Sequence, residues 1–536
     1  MGVPPGPHSL PQGRRTRVYQ ALLTRKYLTS KIMPLLAMAA VMLSVATVLV
    51  TWSVMGGFLN TLLRSGRTLI GDVSIHWPNV GFPYYDDLCQ RLEADPRVAA
   101  AAPVIESFGV VALPDDQVHG VLVKGVEGER YARVTGYADT VWWKPLATPM
   151  RKDAERLDPR LGQSGYFAGE DWAARHDAGL TLTKPDGSAA AVLGIELSGW
   201  NFRLPSGVYV PGAPARATRE GETANINLFL PDTEVTLHLM PLDSRGRGVE
   251  MATRTIPVAN EFHSGIYEAD SQTLFARLDL VQRMLKMDRA ERIEQPESPF
   301  AFDPATGRLV EQSARVVGID PARVTTVLVR AAQGVPVETE SEILRFREAC
   351  EQIYAEFAKA HPGEVPAQGS IVIRSWRDLN RSMIAAVEKE TGLVLFVFGL
   401  VCFTTVFLVL AIFWSMVSEK TKDIGILRSL GASTPGITWL WLRYGAAVGI
   451  VGSGAGFLAA WAIVRNINEI HEWLGQNLGL VIWDPSVYYF FEIPSDMDWQ
   501  KAATVVSAGI LTCLVGAAIP ATRAGLMDPV RALRFE

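Results

Sequence analysis

The chain has 536 residues, 48% of them hydrophobic and 20% charged, with a net charge of −5. That composition excludes a disordered, collagen-like or disulfide-dense chain, and no long basic block follows residue 31, which argues against nucleic-acid binding. A mean hydropathy of +0.14 directs attention to where the apolar residues gather.

Residues 1–31 hold Arg14, Arg15, Arg17, Arg25, Lys26 and Lys31 and no acid. Tyr19, Leu22, Leu23, Tyr27 and Leu28 interleave with Arg25 and Lys26 in the manner of an interfacial helix whose basic side chains snorkel. The uncharged run Ile32–Leu63 follows. As a helix it would be about 48 Å long against about 30 Å of hydrocarbon, so it predicts a membrane span with a stalk. It far exceeds the roughly 7–15 apolar residues of a cleaved leader, so a retained helix is expected.

Residues 64–390 read as an α+β domain. Strands are predicted at Asp72–Trp77, Arg97–Val104, Ser107–Leu113 and Val118–Val126, with a helix over Tyr84–Ala94. Later come strand-like runs at Glu234–Met240, Arg254–Asn260, Arg323–Val329 and Ser370–Arg374, and a helix over Glu340–Ala360. The elements of 64–130 and 320–375 predict one membrane-proximal subdomain, with 131–319 inserted as another. Segments 145–165 and 290–318 are rich in Pro, Asp, Arg and Gly and read as loops. From Trp376, Leu379, Met383, Ile384 and Val387 recur at helical spacing and lead into the next span.

Three more spans are expected: Thr391–Ser418, then Tyr444–Val464 within 437–464, and Ala502–Thr522. Lys and Arg dominate 1–31, 419–443 and the tail 523–536, whereas 465–501 is acidic. The positive-inside rule then places both termini and 419–436 in the cytoplasm, and 64–390 and 465–501 outside. The 64–390 domain keeps a net charge of about −10, which favours solubility.

Cys89 and Cys350 could pair only if the fold joins them; two unpaired thiols is the other reading. The sequence has no G-x-x-x-x-G-K-[ST] phosphate loop, no H-E-x-x-H and no G-x-S-x-G, and its histidines show no ligand spacing, so neither a catalytic nor a metal site is expected. Gly445, Gly449, Gly452 and Gly456 form a small-residue ridge, read as a helix-packing seam or a hinge. In 418–432, Ile424, Leu427 and Leu430 make an apolar stripe, and Gly431 can end the helix. Such a helix either docks a soluble partner or only connects two spans.

The segment Glu419-Lys-Thr-Lys-Asp-Ile-Gly-Ile-Leu-Arg-Ser-Leu-Gly-Ala432 resembles the E-K-x-x-[DE]-I-x-[IV]-L-[RK]-x-x-G-A segment of FtsX/MacB-type ABC transporter permeases. The tail from Ile519-Pro-Ala-Thr-Arg-Ala to Ala-Leu-Arg-Phe-Glu536 is similar to their terminal motif. Ser53-Val-Met-Gly-Gly-Phe58, Ile256–Asp270 and Trp376-Arg-Asp-Leu-Asn380 resemble motifs of the lipoprotein-releasing LolC/LolE branch. The resemblance implies an α-helical membrane protein with four transmembrane helices and a large MacB-like extracytoplasmic domain between helices 1 and 2. It implies an inner-membrane permease without catalysis or cofactor of its own, with ATP and Mg bound by a partner LolD-like ATPase. A second permease copy or paralogue would complete a dimer, and lipoprotein would be the cargo. A MacB-like exporter or FtsX-like mechanotransmitter is the alternative. On this reading Glu419, Lys420, Asp423, Ile424, Leu427, Arg428 and Gly431 form the ATPase-coupling helix, with Leu427 and Ile424 as anchors. Leu242, Arg245 and Arg247 lie where a periplasmic carrier would bind, although the loop does not reproduce the family's carrier-binding sequence.

Overall fold

The computed structural model describes residues 32–533, apart from 79, 146–169, 204–208, 212–215, 218–222, 225–228, 243–246, 249, 295–299, 304–307, 312–314, 481, 485–487, 489 and 491. It divides into two compact units. One is Leu62–Ile384 with Trp483–Glu492; the other comprises residues up to Thr61, Ala385–Ile482 and residues from Ile493. The helices used below are α1 (Ile32–Thr68), α2 (Tyr85–Glu93), α3 (Glu340–Ala360), α4 (Trp376–Leu379), α5 (Arg381–Glu419), α6 (Thr421–Ser429), α7 (Thr434–Arg465), α8 (Ile467–Leu478), α9 (Trp499–Gly525) and α10 (Pro529–Leu533).

The Leu62–Ile384 unit is built on a mixed nine-stranded sheet. Its strands are β1 (Val73–His76), β2 (Val98–Ala112), β3 (Val118–Val126), β4 (Ala191–Gly194), β5 (Glu234–Leu239), β6 (Ala252–Phe262), β7 (Thr273–Arg277), β8 (Thr326–Ala331) and β9 (Val372–Ser375). In space they run β5-β6-β4-β7-β3-β2-β8-β1-β9, and β5 also pairs with β2. One edge of β2 is shared: its first half pairs with β8 and its last residues with β5. Six strands thereby close into a ring without free edges, and β8, β1 and β9 extend from it. Tyr131, Tyr137, Phe262 and Phe275 are fully buried and fill part of the core with rings 4.8–5.5 Å apart.

Three expectations need correction. The segment 131–319 does not form a sheet of its own, because β4, β5, β6 and β7 join the strands of the expected membrane-proximal subdomain in one sheet. The two strands expected at 97–113 are one strand of 15 residues. Ile105 and Glu106 look like a break in sequence, but Glu106 lies opposite Lys124 on β3 and the two pair at 3.1 Å. The part of 290–318 that is described carries hairpin strands, Ala290–Glu294 with Arg315–Asp320 and Phe300–Asp303 with Arg308–Glu311, rather than loops alone. The expected loop at 145–165 lies outside the described residues except for position 145.

Helix α3 begins where the sequence places it, because Thr339 and Glu342 form a capping box. It packs on α2, and Cys350 and Cys89 are both buried as free thiols. Burial pushes each thiol up to about 12. The end of α1 and the start of α4 are clasped around Asp72, which is 1% exposed. Its carboxylate accepts Arg67 Nη2 at 2.6 Å and the Ala331 amide at 2.9 Å, and its carbonyl accepts the Trp376 amide at 3.1 Å.

At the end of β6, Glu261 is wholly buried and accepts Trp143 Nε1 and Asn201 Nδ2, each at 2.8 Å. Burial pushes its carboxyl up to about 8; the two hydrogen bonds pull it down and nearby Glu196 pushes it further up.

The second unit holds four helical stretches long and apolar enough to cross a membrane: Met33–Leu62, Ile384–Glu419, Thr434–Arg465 and Trp499–Gly525. The first agrees with its predicted span to within one residue at each end, and the other three run past theirs at both ends, because a helix's backbone bonds continue past the apolar window. Gly445 and Gly449 of α7 face α9, where an added Cβ would stand 2.7 Å from Ala517 Cβ and 3.1 Å from Cys513 Cβ. Gly452 and Gly456 face α1, where it would stand 3.0 Å from the Met38 carbonyl and 2.6 Å from that of Met42. On α9, Gly509 meets Ser453 and Val45, and Gly516 meets the Val406 carbonyl and Val409 of α5. The ridge is a set of close helix contacts.

Two outcomes are expected. Gly456→Leu should lower the melting temperature in detergent, by about 1–3 kcal/mol of overpacking, whereas Gly454→Leu, whose Cβ would meet nothing within 4 Å, should not. Equal behaviour of the two variants would refute the close-contact account. Burial holds the folded-state Glu261 carboxyl up at about 8, well above the ordinary carboxylate range of the unfolded chain. Its favourable contribution is full below the unfolded value and is lost as pH rises through about 8. Melting curves of the wild type should therefore fall over that window, and those of Glu261→Met should fall less.

Candidate coupling site

Helix α5 ends at Glu419, Lys420 turns the chain, and α6 runs from Thr421 to Ser429. The Ala432 amide then donates to the Leu427 carbonyl at 3.0 Å, and Gly431 takes φ +94°, a value open to glycine and strained for other residues. Pro435 sits in the first turn of α7, where its missing N–H costs no hydrogen bond. The chain therefore reverses into α7 within a few residues. Helix α10 lies against α6.

The predicted coupling residues do not all face outward. Ile424 is 3% exposed and belongs to the same buried cluster as Met416, Val417, Ala521 and Ala524, so it cannot serve as an outward anchor. Leu427 is half-buried. Arg428 is committed to its own turn, donating from Nη1 to the Ala432 carbonyl and to Thr434 Oγ1, both at 3.1 Å. Lys420 pairs with Asp423 at 2.8 Å on the surface, and Glu419 is exposed. The side chains presented outward are instead Ile426 (48% exposed) on α6 and Leu430 (80%) at its C-terminal cap, four residues on, with Leu526 and Val530 exposed at the end of α9 and on α10. The sequence pattern marks an apolar stripe on α6 but not that the chain's own helices cover part of it. At the same end of the helices, the Arg523 guanidinium lies 4.0 Å from the Trp414 ring centroid, a cation–π contact that ties α9 to α5.

A second feature lies between α1 and α5. A groove of about 460 Å³ is lined by Leu43, Thr47 and Val48 on one side and Val394, Val397 and Phe398 on the other. No sequence pattern marks these residues, because a span's apolar residues look alike whether they face a helix, lipid or a cavity.

Of the expected carrier-contact residues, Leu242 bridges to Gly248 across the β5–β6 hairpin, Arg247 is exposed, and Arg245 lies outside the described residues. Beside that hairpin, Phe108 is 84% exposed, and Met240 and Met251 are also exposed. Pairing of Leu239 with both Gly109 and Ala252 brings these three into one row on neighbouring strands. Period-2 alternation along β2 could have flagged Phe108, since Gly109 and Val111 take the inner face. Among the described residues no group of three or more His, Cys, Asp or Glu could hold a metal ion.

Over 167 residues the chain is 29% identical to the lipoprotein-releasing system transmembrane protein LolC of Neisseria meningitidis, covering 31% of this chain and 40% of that protein. It is 28% identical over 138 residues to LolE of Haemophilus influenzae, covering 26% and 32%. A 25% match over 167 residues to the uncharacterized ABC transporter permease YknZ of Bacillus subtilis covers 30% and 37%. The chain thus matches well under half the length of each of these relatives. The periplasmic region of MacB from Actinobacillus actinomycetemcomitans aligns over 59% of this chain and 95% of its own, at 9% identity and a TM-score of 0.25, too loosely to bear on the fold. Residues 395–529, which hold most of the second and all of the third and fourth membrane-length helices, match the model of the FtsX-like permease C-terminal family, and this identifies that stretch as an FtsX-like permease domain.

Proposed function

We propose that the chain is the permease subunit of an ABC transporter that turns ATP hydrolysis by a separate cytoplasmic ATPase into movement of its Leu62–Ile384 unit, and that the work is release of lipoproteins from the inner membrane. On this reading both termini, α6 and α10 face the cytoplasm, and the permease works as a dimer with a second copy or a paralogue. The observation that carries the coupling role is the outward apolar pair Ile426 and Leu430 on a short helix whose other face is fixed by the buried Ile424. Such a knuckle fits a groove in a soluble protein, and the buried side passes any push to α5 and α9. The sequence has no phosphate loop of its own, so the nucleotide would be bound by the partner.

The cargo reading rests on the similarity to LolC and LolE and on the groove between α1 and α5, which is apolar with a few hydroxyls and open at the side. Acyl chains are held in a bilayer by about 0.8 kcal/mol per methylene. A multiply acylated protein is therefore held too firmly for unassisted release, and ATP has a physical task. The similarity to YknZ favours a second reading, an exporter or mechanotransmitter acting on another periplasmic partner.

Purification with the cognate ATPase tests both parts. Ile426→Asp combined with Leu430→Asp should abolish ATPase retention and stimulation while the permease still elutes as a folded species; normal coupling in that variant would refute the docking role. Mass spectrometry of the complex trapped without ATP should find acylated protein, depleted in Val397→Trp, which fills the groove. Trapping of non-acylated cargo alone would favour the second reading.

A further inference from the structure

Helix α8 follows α7 after a single residue, Asn466. Along it Ile467, Ile470, Trp473, Leu474 and Leu478 share one side at helical spacing, while Asn468, Glu469 and Glu472 share the other. The fold leaves much of the apolar side uncovered: Ile470 is 40% exposed, and Trp473 and Leu478 are each 57% exposed. Gly479 then turns the chain with φ +65°, and Leu480 and Ile482 prolong the uncovered strip at 54% and 61% exposure. The polar side is fixed from within the same unit, since Asn468 Oδ1 accepts the Ile493 amide at 2.8 Å.

Aromatic–cation pairs say what covers the strip. The Arg465 guanidinium lies 5.4 Å from the Trp461 ring at the end of α7. Lys501, in the first turn of α9, has its ammonium 5.8 Å from the Trp52 ring of α1. Trp499, which opens α9, is 67% exposed. Tryptophan beside Lys or Arg at the ends of membrane-length helices marks the headgroup level of a bilayer. Helix α8 starts two residues beyond one such pair, and the chain returns to the membrane at Trp499 and Lys501. Its apolar strip is therefore held at the depth where lipid, rather than water, is the available neighbour.

We propose that α8 lies in the lipid–water interface on the side of the membrane where α7 joins α9, with Ile470, Trp473 and Leu478 against the upper acyl chains and Glu469 and Glu472 toward water. The partner is a lipid surface bound by apolar burial. The helix has no Lys or Arg, so attraction to anionic headgroups contributes nothing and salt should not release it. The assignment needs only the membrane crossing of α7 and α9 and is independent of cargo or ATPase. It would fix the depth of α7 and α9 in the bilayer while other helices move.

The test uses the full chain in phosphatidylcholine nanodiscs, with an environment-sensitive fluorophore on Trp473→Cys or on Glu472→Cys and the wild-type labelling background subtracted. Acyl chains brominated near the headgroup should quench the probe at 473 at least about twofold more than the probe at 472, and raising the salt concentration should leave the difference intact. Equal quenching at both sites, or none, would overturn the proposal. So would Trp473→Cys cross-linking between two chains without lipid quenching, which would assign the strip to a second copy.

Discussion

Backbone-to-backbone closeness holds the four-helix unit together. Inside a bilayer, apolar side chains gain little by leaving lipid for one another, so helices associate through close van der Waals contact, which small residues permit. Gly445 and Gly449 bring α7 onto α9, Gly452 and Gly456 bring it onto α1, and Gly516 brings α9 onto α5. Ser453, fully buried beside Gly509, sits where α7, α9 and α1 converge. Each contact brings backbone within reach of a neighbouring helix, so even one methyl group would force a shift.

The same criterion explains where the unit is open. Gly392 and Gly399 of α5 meet nothing within 4 Å, and the α1–α5 junction is a groove instead of a seam. Helix α5 is only 11% buried over its most apolar window, with Phe396, Leu400 and Phe403 well exposed. A helix that is apolar all round and little buried is finished by lipid or by another chain. Separating α1 from α5 would break no glycine contact there, so a ligand entering that groove need displace only side chains and lipid.

How much could be read from residues alone follows from which physical signal each feature leaves. The four spans are legible because uncharged runs of that length have few other uses, and α3 is legible because Thr339 and Glu342 announce its start. The break expected near Ser107 fails because a polar residue in a strand reads as a turn until its cross-strand partner, Lys124, is known. Likewise the Ile424 stripe tells which face of α6 is apolar, and only the positions of Ala521 and Ala524 reveal that the face is already covered. The joining of 131–319 to one sheet depends on β5 pairing with β2 more than 120 residues earlier, and no local pattern carries that. Glu261 lies inside the Ile256–Asp270 stretch, yet its hydrogen-bond partners Trp143 and Asn201 are far away in sequence, and no local pattern announces its burial.

The Asp72 clasp ties the end of α1 to the start of α4 within the Leu62–Ile384 unit. Strand β1 follows α1 and strand β9 precedes α4, and the two strands pair side by side in antiparallel register from Val73↔Ser375 to His76↔Val372. The Arg67 guanidinium also lies 5.7 Å from the Trp376 ring, so the end of α1 grips both the buried carboxylate and the indole, while the start of α4 donates its Trp376 amide to the Asp72 carbonyl. A displacement of one helix end along its axis relative to the other would shear this short ladder, whose hydrogen bonds share such a load rather than open one at a time. Because Asp72 also accepts the Ala331 amide of β8, the load would pass into the strand that pairs directly with β2 of the closed ring. The ring can then move as one body, since breaking the clasp would leave a buried carboxylate without its partners, at a cost of about 3–5 kcal/mol.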